Sequence, residues 1–586
     1  MNLSPEERQL GKQNFDEAVG TTRRNFLKGT VLAGAAASTS LGALYFGYGP
    51  SVDRRLRVGI IGTGDEGGVL IGALNPEYID VRAIADIRPY SVHRAFHGDW
   101  YSDGAHAARP GLMQIYGWKT EGEARVHVKE FGRYQDLLEE ANDLDLEAVI
   151  IAVPLHLHHD VAMAAMKKGL HVLTEKLMAH NVGQCKNMAR AASDTGLVLA
   201  TGHQRHYNIL YDNAVDQLRR GLIGPIHHIR AQWHRANMPG NDSWQPPLPC
   251  KYMSSEEYVA ARRAARPGGT EAQLRSEYKL LEELHSWESI LAGTHADIKP
   301  KPTEIDKWVA KIAQKRAQLA DASADATANG YLSKTLPGGY QVSPLEELIR
   351  WRLFNRTGGG LMVELGSHQL DAASIFIASQ NPGGRKVKPL SVSGYGCRSL
   401  FPEDRECDDH VYCMFEFPGQ GYYAGAESHE VADPEKKIVV SYSSINGNGF
   451  GGWGETVFGT KGTLILEREQ DAMLFKGSDT TTKIEVRETA GGPAMDTYET
   501  GGGAAVAQAA APKDLSRGYR EEIEHWAWCV RNPGNKPRCT PDVALADAVI
   551  ALTSNLALAE NRRIEFLPEW FDIQSDATPD GSKVSG

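Results

Sequence analysis

The chain has 586 residues, of which 41% are hydrophobic and 23% charged, and its formal net charge at pH 7 is −11. This length allows two or three domains with sizeable cores, and the acidic balance argues against a nucleic-acid-binding protein, which needs a basic surface. None of the seven cysteines belongs to a C-x-x-C pair, so the sequence predicts neither a zinc site nor a redox dithiol. Cys407 and Cys413 can still form a disulfide in an oxidising compartment.

Residues 1–50 have the features of an export signal. The motif Thr-Arg-Arg-Asn-Phe-Leu-Lys at 22–28 matches a twin-arginine signal, and an apolar run rich in Ala and Gly follows it at 29–49. We expect this segment to lie outside the fold and to be recognised by the twin-arginine translocation machinery. The protein would then reach the periplasm or the outer face of the cytoplasmic membrane. About 20 apolar residues suffice to span a bilayer, so the segment is either cleaved or kept as a membrane tether.

A glycine-rich turn follows the first strongly apolar run, 56–61. Gly62, Gly64 and Gly67 have the spacing G-x-G-x-x-G, and Thr63 lies inside the turn. The first glycine permits the tight turn, the second lets the backbone approach a pyrophosphate, and the third lets the following helix pack closely. The N-terminus of that helix offers free N–H groups to the phosphates. The pattern therefore predicts a dinucleotide site.

Asp86 ends the next apolar run. Its carboxylate can accept hydrogen bonds from the adenosine ribose diol and would repel a 2′-phosphate, which favours NAD over NADP. Arg88 lies two residues further on and can instead pair with a phosphate, so NADP stays an alternative.

Apolar runs and helical patterns alternate up to about residue 203, as a parallel sheet requires. We therefore expect a doubly wound Rossmann domain of the α/β class at 51–203, with strands at 147–153, 171–174 and 197–201. Residues 204–586 are expected to form an α+β domain for substrate binding and oligomerisation, with an open, mainly antiparallel sheet. Its strand-like runs are 226–234, 390–396, 410–417, 437–442 and 462–467.

Two stretches interrupt this second domain. Residues 241–350 begin rich in proline and continue with charged helical patterns, so they are predicted to be an inserted helical lid or an oligomer arm. Residues 488–513 are rich in Gly and Ala and are predicted to be a flexible loop. The arm-like insertion also favours a homo-oligomer.

A lysine follows the short strand predicted at 171–174. In a doubly wound domain, Lys176 projects over the crevice where a nicotinamide ring would lie. Oxidation of a secondary alcohol needs a base at about 2.6–3.2 Å from the hydroxyl, and burial beside a positive charge makes an amine easier to deprotonate. Taken alone, Lys176 is at least as well explained as an ordinary solvated lysine at the end of a strand.

A second group of polar residues follows the glycines at 358–360. On a helix, Glu364, His368 and Asp371 occupy positions i, i+4 and i+7 of one face. The imidazole of His368 can share a proton or orient a hydroxyl, and Glu364 can fix the imidazole tautomer or bind a neighbouring hydroxyl. Together with Lys176 and the dinucleotide turn, these residues predict the oxidation of an alcohol.

Further polar and aromatic residues near the domain junction are candidate substrate contacts. They are Arg205, His206, Tyr207 and Trp233. Helix capping and core packing explain them about as well. The histidines within 156–159 lie at a strand-to-helix junction, and we predict no metal site there.

Several short motifs occur together in this chain. They are the glycine turn, Pro154 with His158, Glu175-Lys176, residues 201–205, Gly358–Gly360 with His368 and Asp371, and residues 460–463. With them, the chain resembles the glucose–fructose oxidoreductase/inositol dehydrogenase (Gfo/Idh/MocA) family over nearly its whole length outside the insertion. The resemblance implies an NAD(P)-dependent oxidoreductase acting on a sugar, cyclitol or related polyol. It also implies that Lys176 is catalytic with His368 as its partner, and that Pro154, His158 and Glu175 lie at the cofactor.

Two positions depart from the family pattern. Leu177 stands where the family has a proline after the lysine, and Glu364 stands where it has an aspartate. Exported members of the family keep their nicotinamide cofactor bound through turnover, so we expect tightly bound NAD. Two other functions stay open. One is an NAD-dependent glycoside hydrolase or lyase that works by transient oxidation and elimination, and the other is a non-catalytic protein that retains NAD.

Overall fold

A six-stranded parallel sheet forms the first domain of the computed structural model. Its strands are β1 (Leu56–Ile61), β2 (Ile79–Ala85), β3 (Lys129–Phe131), β4 (Ala148–Ile151), β5 (His171–Glu175) and β6 (Leu199–Gly202). Their order is β3-β2-β1-β4-β5-β6, so the sheet is built outwards in opposite directions from β1 and β4. This is the switch point at which the carboxyl ends of the strands leave a crevice for a ligand. The predicted doubly wound sheet is confirmed.

Helices cover both faces of this sheet. Alternate residues of β4 enter two separate hydrophobic clusters, Ala148 and Ile150 on one face, Val149 and Ile151 on the other. Burial on both faces explains why β4 is apolar throughout. The helices of this domain are Asp65–Ala73, Pro89–His97, Asp103–Ala108, Leu112–Tyr116, Glu121–His127, Tyr134–Glu139, His158–Lys167 and Val182–Thr195.

An eight-stranded sheet forms the second domain. Its strands are β7 (Ile226–Trp233), β8 (Ser391–Cys397), β9 (His410–Pro418), β10 (Lys437–Ile445), β11 (Trp453–Gly459), β12 (Gly462–Glu467), β13 (Asp471–Lys476) and β14 (Ile564–Glu565). The order is β13-β12-β11-β7-β10-β9-β8-β14, and the β7–β10 pair alone is parallel among these described strands. Buried and half-buried residues alternate along β10, as expected where one face lies on a core. The prediction of an open, mainly antiparallel sheet is confirmed.

Four long helices accompany this sheet. They are Ile209–Arg219, Ser367–Ser379, Tyr519–Arg531 and Pro541–Glu560. The third packs back onto the first domain, where Trp526 is completely buried in the same cluster as β1. Within the described part of the chain, the fourth is the one helix long and apolar enough to cross a membrane. Because 61% of its apolar window is buried, it resembles the core helix of a globular domain.

The insertion folds as a helical unit on top of the first domain. Its helices are Ser255–Ala265, Glu271–Glu277, Lys279–Leu291, Ile305–Ala320 and Pro344–Ile349, and a short ladder pairs Lys334–Thr335 with Gln341–Val342. The longest of these helices packs against Pro89–His97. Gln314 accepts a hydrogen bond from the Trp100 N–H at 2.6 Å and donates one to Asp99 at 2.8 Å. The insertion therefore packs directly on the first domain, through the helix Ile305–Ala320.

The residues that flank the export motif pack on the folded body, in contrast to the expectation that 1–50 lie outside it. Helix Pro5–Val19 contacts β13, with Phe15 buried and Arg8 paired to Glu467 at 2.8 Å. The Tyr48 hydroxyl donates to Glu524 at 2.6 Å. Apolar and charged contacts thus hold both flanks in place.

The structure describes residues 3–19, 41–381, 386–425, 428–476, 486–489, 492–495 and 517–584. The twin-arginine motif and most of the predicted flexible loop lie outside these residues. The start of that loop forms an antiparallel ladder of Val486–Thr489 with Gly492–Met495. All seven cysteines are unpaired, so no disulfide joins Cys407 to Cys413.

Candidate active site

A cavity of about 1590 Å³ lies at the carboxyl ends of β1, β2, β4 and β5. Usual small-molecule sites measure about 300–1,000 Å³, so this cavity has room for a dinucleotide and a second ligand. The first domain, the second domain and the insertion all contribute to its walls. The two sites predicted from the sequence, the glycine turn and Lys176, both open into it.

The glycine turn has the geometry that a pyrophosphate requires. A Cβ on Gly62, whose φ is +87°, would lie 2.3 Å from the Ala152 carbonyl oxygen, and a Cβ on Gly67 would lie 2.2 Å from the Gly62 carbonyl oxygen. Gly64 lines the cavity, and a Cβ there would meet no atom within 4 Å. The backbone is therefore open to a phosphate group, at the start of helix Asp65–Ala73.

Asp86 lies beside this turn on the cavity wall. Its carboxylate accepts hydrogen bonds from the Thr63 N–H at 2.8 Å and from the Arg88 N–H at 2.9 Å. The Arg88 guanidinium turns away from Asp86 and donates to Asp321 of the insertion at 2.8 Å. Asp321 also accepts from the Tyr90 N–H at 2.9 Å. The insertion thus engages the arginine that was the candidate partner of a 2′-phosphate.

Lys176 meets Glu364 across the two domains. Its amine donates to the Glu364 carbonyl oxygen at 2.8 Å and lies 4.0 Å from a carboxylate oxygen of the same residue. Arg352 donates to the other carboxylate oxygen at 2.9 Å. Burial opposes ionisation of Glu364, but Lys176 and Arg352 outweigh it and lower the pKa of this carboxyl. The peptide bond between Lys176 and Leu177 is cis.

His368 lies in the same wall as a buried, neutral imidazole. Burial, reinforced by the charge of Lys176, holds the pKa of His368 well below its usual range. Its Nδ1 atom has no hydrogen-bond partner in the described part of the chain. The ring lies 5.6 Å from the indole of Trp233, which also lines the cavity. A neutral imidazole with a free nitrogen can accept or donate a hydrogen bond to a substrate hydroxyl.

The structure does not place Asp371 with Glu364 and His368. Residues Met362–Gly366 form a π-helical turn before the α-helix begins at Ser367, so Glu364 does not keep the assumed 3.6-residue period with His368 and Asp371, which both lie in that helix. Asp371 is buried away from the cavity. It binds His206 at 3.0 Å and Lys386 at 2.8 Å.

Glu175 and His158 support the floor of the site. The Glu175 carboxylate accepts from the Lys176 N–H at 3.1 Å, and burial, then the nearby Glu66, raises the pKa of Glu175 to about 8. The His158 ring lies between the carbonyl oxygens of Leu177 and Val153, each at 2.8 Å, and so joins the ends of β5 and β4. Pro154, His158 and Glu175 all line the cavity.

Three of the candidate substrate residues do not line this cavity. Arg205 is buried between Glu455 at 3.3 Å and Glu469 at 2.9 Å. The Tyr207 hydroxyl bonds to His525 at 2.8 Å. Together with the contact of His206 to Asp371, these contacts place the three side chains in the packing of the second domain. Trp233 is the member of this group that faces the cavity.

Several cavity residues were missed by the sequence reasoning. Arg352 lies a few residues before the glycines at 358–360, and this proximity is a weak indication that it belongs to the cavity. Asp321, Arg235 and the other aromatic residues carry no local motif, because the fold brings them in from the insertion and from the end of β7. The tryptophans of the cavity wall are Trp100, Trp233, Trp244, Trp287 and Trp351.

Residues 56–203 match the family model GFO_IDH_MocA, an oxidoreductase family with an NAD-binding Rossmann fold. Curated relatives include a glycosyl hydrolase family 109 protein of Shewanella amazonensis, 27% identical over 36% of this chain and 46% of the relative. Another is the 1,5-anhydro-D-fructose reductase of Ensifer adhaerens, 33% identical over 22% of this chain and 38% of the relative. The chain spans less than half the length of these curated relatives.

Solved structures are similar to this chain at low identity. The aldose-aldose oxidoreductase of Caulobacter crescentus, complexed with glycerol, is 15% identical with a TM-score of 0.47. The alignment covers 88% of this chain and 100% of that one.

Proposed function

We propose that this protein is an NAD-dependent oxidoreductase of the Gfo/Idh/MocA type that oxidises a secondary hydroxyl of a sugar, cyclitol or related polyol. The observation that carries the proposal is the position of Lys176. Its amine lies in a cavity that begins at a dinucleotide turn, and the second domain holds it through Glu364. A base at this place can reach a hydroxyl whose carbon faces the nicotinamide end of the crevice.

Each residue of the site has a separate role in the proposed reaction. Bound NAD supplies the acceptor for the hydride that leaves the carbinol carbon. The Lys176 amine takes the hydroxyl proton, so that one hydride and one proton leave and the C–O bond becomes a carbonyl. His368 orients the hydroxyl with its neutral imidazole. Glu364 fixes the amine through its carbonyl oxygen, and Arg352 fixes the Glu364 carboxylate.

We also propose NAD rather than NADP, held tightly. Two carboxylates, Asp86 and Asp321, line the adenosine end, and Arg88 is paired with the second of them. A 2′-phosphate would meet negative charge there without a free guanidinium. Tyr331 of the insertion lines the same end and supports retention of the cofactor by covering it.

A carbohydrate substrate is supported by the aromatic wall. Five tryptophans line the cavity, and flat aromatic faces pack well against the C–H surfaces of sugars while their N–H groups bind polar atoms. One relative, a 1,5-anhydro-D-fructose reductase, also points to sugars.

Export by the twin-arginine translocation machinery, to the periplasm or the outer membrane face, is part of the proposal. Its support is the motif at 22–28. We further propose that residues 29–49 tether the protein to the membrane and that the protein forms a homo-oligomer.

The test begins with the purified protein. The nucleotide released on denaturation is identified by mass spectrometry, and the native protein is then mixed with a panel of sugars, cyclitols and glycosides. We expect bound NAD and steady NADH production with one class of polyol. Glycoside cleavage without net NADH would instead identify a hydrolase or lyase. Bound NAD that no compound reduces would identify a non-catalytic binding protein.

A further inference from the structure

One arginine of the cavity wall lacks a carboxylate partner. Seven arginines line the cavity, and six of them pair with an Asp or Glu within 4.0 Å. The pairs are Arg88 with Asp321, Arg94 with Asp65, Arg109 with Asp99, Arg350 with Glu346, Arg352 with Glu364, and Arg517 with Glu469. Among the described residues, Arg235 has no ion pair, and its Nε atom is buried without a hydrogen-bond partner.

Aromatic rings hold this guanidinium beside the reaction centre. Its Cζ atom lies 5.7 Å from the Trp233 ring centre and 5.8 Å from that of Trp244. Trp233 in turn contacts His368 at 5.6 Å, so one indole touches both the unpaired cation and the imidazole. Stacking fixes the guanidinium plane, but it leaves the N–H donors to be satisfied by another group.

The nearby carboxylates are already engaged. Glu364 binds Arg352 at 2.9 Å, and Asp242 binds Arg405 at 2.7 Å. Burial, and next the charge of Arg352, lowers the pKa of Arg235, as expected of a cation without a compensating anion. Among the residues that the structure describes, Arg235 is therefore a cation of this wall without a carboxylate partner.

We infer that the substrate is an anionic sugar whose carboxylate binds Arg235, that is, a uronic acid, a glycuronide or a related sugar acid. This inference rests on the proposed oxidoreductase function. A carboxylate accepts two parallel hydrogen bonds from a guanidinium, which satisfies both the charge and the donors. A phosphate monoester carries about −1.5 to −2 charges and would need a second free cation. Two other cations of the cavity wall, Lys176 and Arg352, share Glu364.

The experiment compares neutral and acidic sugars of the same configuration. The pairs are D-glucose with D-glucuronate and D-galactose with D-galacturonate, and D-glucose 6-phosphate is a further probe. For the holoenzyme, the ratio of kcat/KM for acid over neutral sugar is measured in the wild type, Arg235→Gln, Arg235→Lys and Arg263→Gln. Arg263 is exposed and lies outside the cavity, so its variant controls for the loss of one positive charge. Cofactor content and far-ultraviolet circular dichroism show that each variant is folded.

We expect the wild type to prefer the acid and Arg235→Gln to lower the acid-to-neutral ratio by about 10- to 100-fold, the loss of a charged hydrogen bond. Arg235→Lys keeps the charge without the planar fork and should lower the ratio less. Arg263→Gln should leave the ratio as in the wild type. An unchanged ratio in Arg235→Gln, a preference for neutral sugars, or a preference for the phosphate would overturn the inference while leaving the oxidoreductase proposal intact.

A binding measurement tests the sugar-acid site even if the proposed oxidoreductase function fails. If no sugar reduces the cofactor, thermal unfolding of the holoenzyme is followed with and without D-glucuronate and D-galacturonate. A rise in Tm in the wild type that Arg235→Gln abolishes supports a sugar-acid site in a protein of another activity. The absence of any rise would contradict the site itself.

Discussion

One buried carboxyl beside Lys176 is uncharged at neutral pH. Glu175 lies directly before the lysine, and burial with Glu66 nearby raises the pKa of Glu175 to about 8. At neutral pH the carboxyl is therefore protonated.

This protonation also makes the stability of the protein depend on pH. The pKa of Glu175 rises from 4.5 to about 8 on folding, so in this range the folded protein holds a proton that the unfolded chain has lost. The free energy of unfolding should therefore fall as the pH rises through this window. Glu175→Gln should show a smaller fall, measured by urea unfolding across the window. Glu256→Gln, at an exposed position, is the control, and equal slopes in Glu175→Gln and wild type would refute the assignment.

Among the elements, the insertion supplies a residue that affects the choice between NAD and NADP, because its Asp321 binds Arg88. Replacing Asp321 by Asn keeps the shape of the side chain but frees the Arg88 guanidinium, which now donates to it at 2.8 Å. A free guanidinium beside the ribose can bind a 2′-phosphate. We expect the variant to bind NADP at least about tenfold more tightly relative to NAD than the wild type does.

Titration of the cofactor-stripped protein with both nucleotides measures this preference. Asp297→Asn, an exposed position of the same insertion, is the matched control and should keep the wild-type ratio. If Asp321→Asn also keeps that ratio, Arg88 does not face the ribose and the assignment of this end of the cavity fails.

Local sequence patterns predict a strand well where it is buried on both faces, or where buried and half-buried residues alternate regularly. The parallel strands β1 and β4 are continuous apolar runs, and β10 alternates, so all three were predicted. β11 and β13 were missed. The sequence of β11 contains two glycines and a buried glutamate, so it lacks an apolar period, and β13 begins with an aspartate and ends with a lysine.

The parts of the site that were not predicted depend on contacts between distant segments. Arg88 and Asp321 are 233 positions apart, and no local pattern indicates that they meet. The prediction that Glu364 shares a face with His368 and Asp371 assumed a regular α-helix, and the π-helical turn at Met362–Gly366 changes the spacing between Glu364 and the other two. Lys176 and Glu364 were predicted as candidates because each follows a recognisable motif. Their contact required the fold.

At the scale of the whole molecule, the two domains are held in one arrangement around the cavity. Helix Tyr519–Arg531 belongs to the second half of the chain, yet it buries Trp526 in the core of the first domain. The Lys176 amine of the first domain and the Glu364 carbonyl oxygen of the second also meet directly, at 2.8 Å.

The compartment of the protein is tested through its N-terminal motif. Replacing Arg23 and Arg24 by lysine keeps the charge but removes the pair that the translocation machinery reads. We expect the wild type in the periplasmic or membrane fraction and the variant in the cytoplasm, measured by fractionation and immunoblotting. The same change at Arg54 and Arg55, a second arginine pair outside the motif, should leave the distribution unaltered. Export of the Arg23→Lys/Arg24→Lys variant at the wild-type level would exclude this route.

The most direct test of the account is the rate of cofactor reduction in Lys176→Met. The sugar or sugar acid that reduces the wild-type holoenzyme fastest is mixed with the variant, and formation of bound NADH is followed by stopped flow. Lys168→Met, at an exposed position of the same domain, is the control. The account predicts an unchanged cofactor content and a rate lower by about 10²–10⁴-fold in Lys176→Met, with no loss in the control. Reduction by Lys176→Met at the wild-type rate would contradict it.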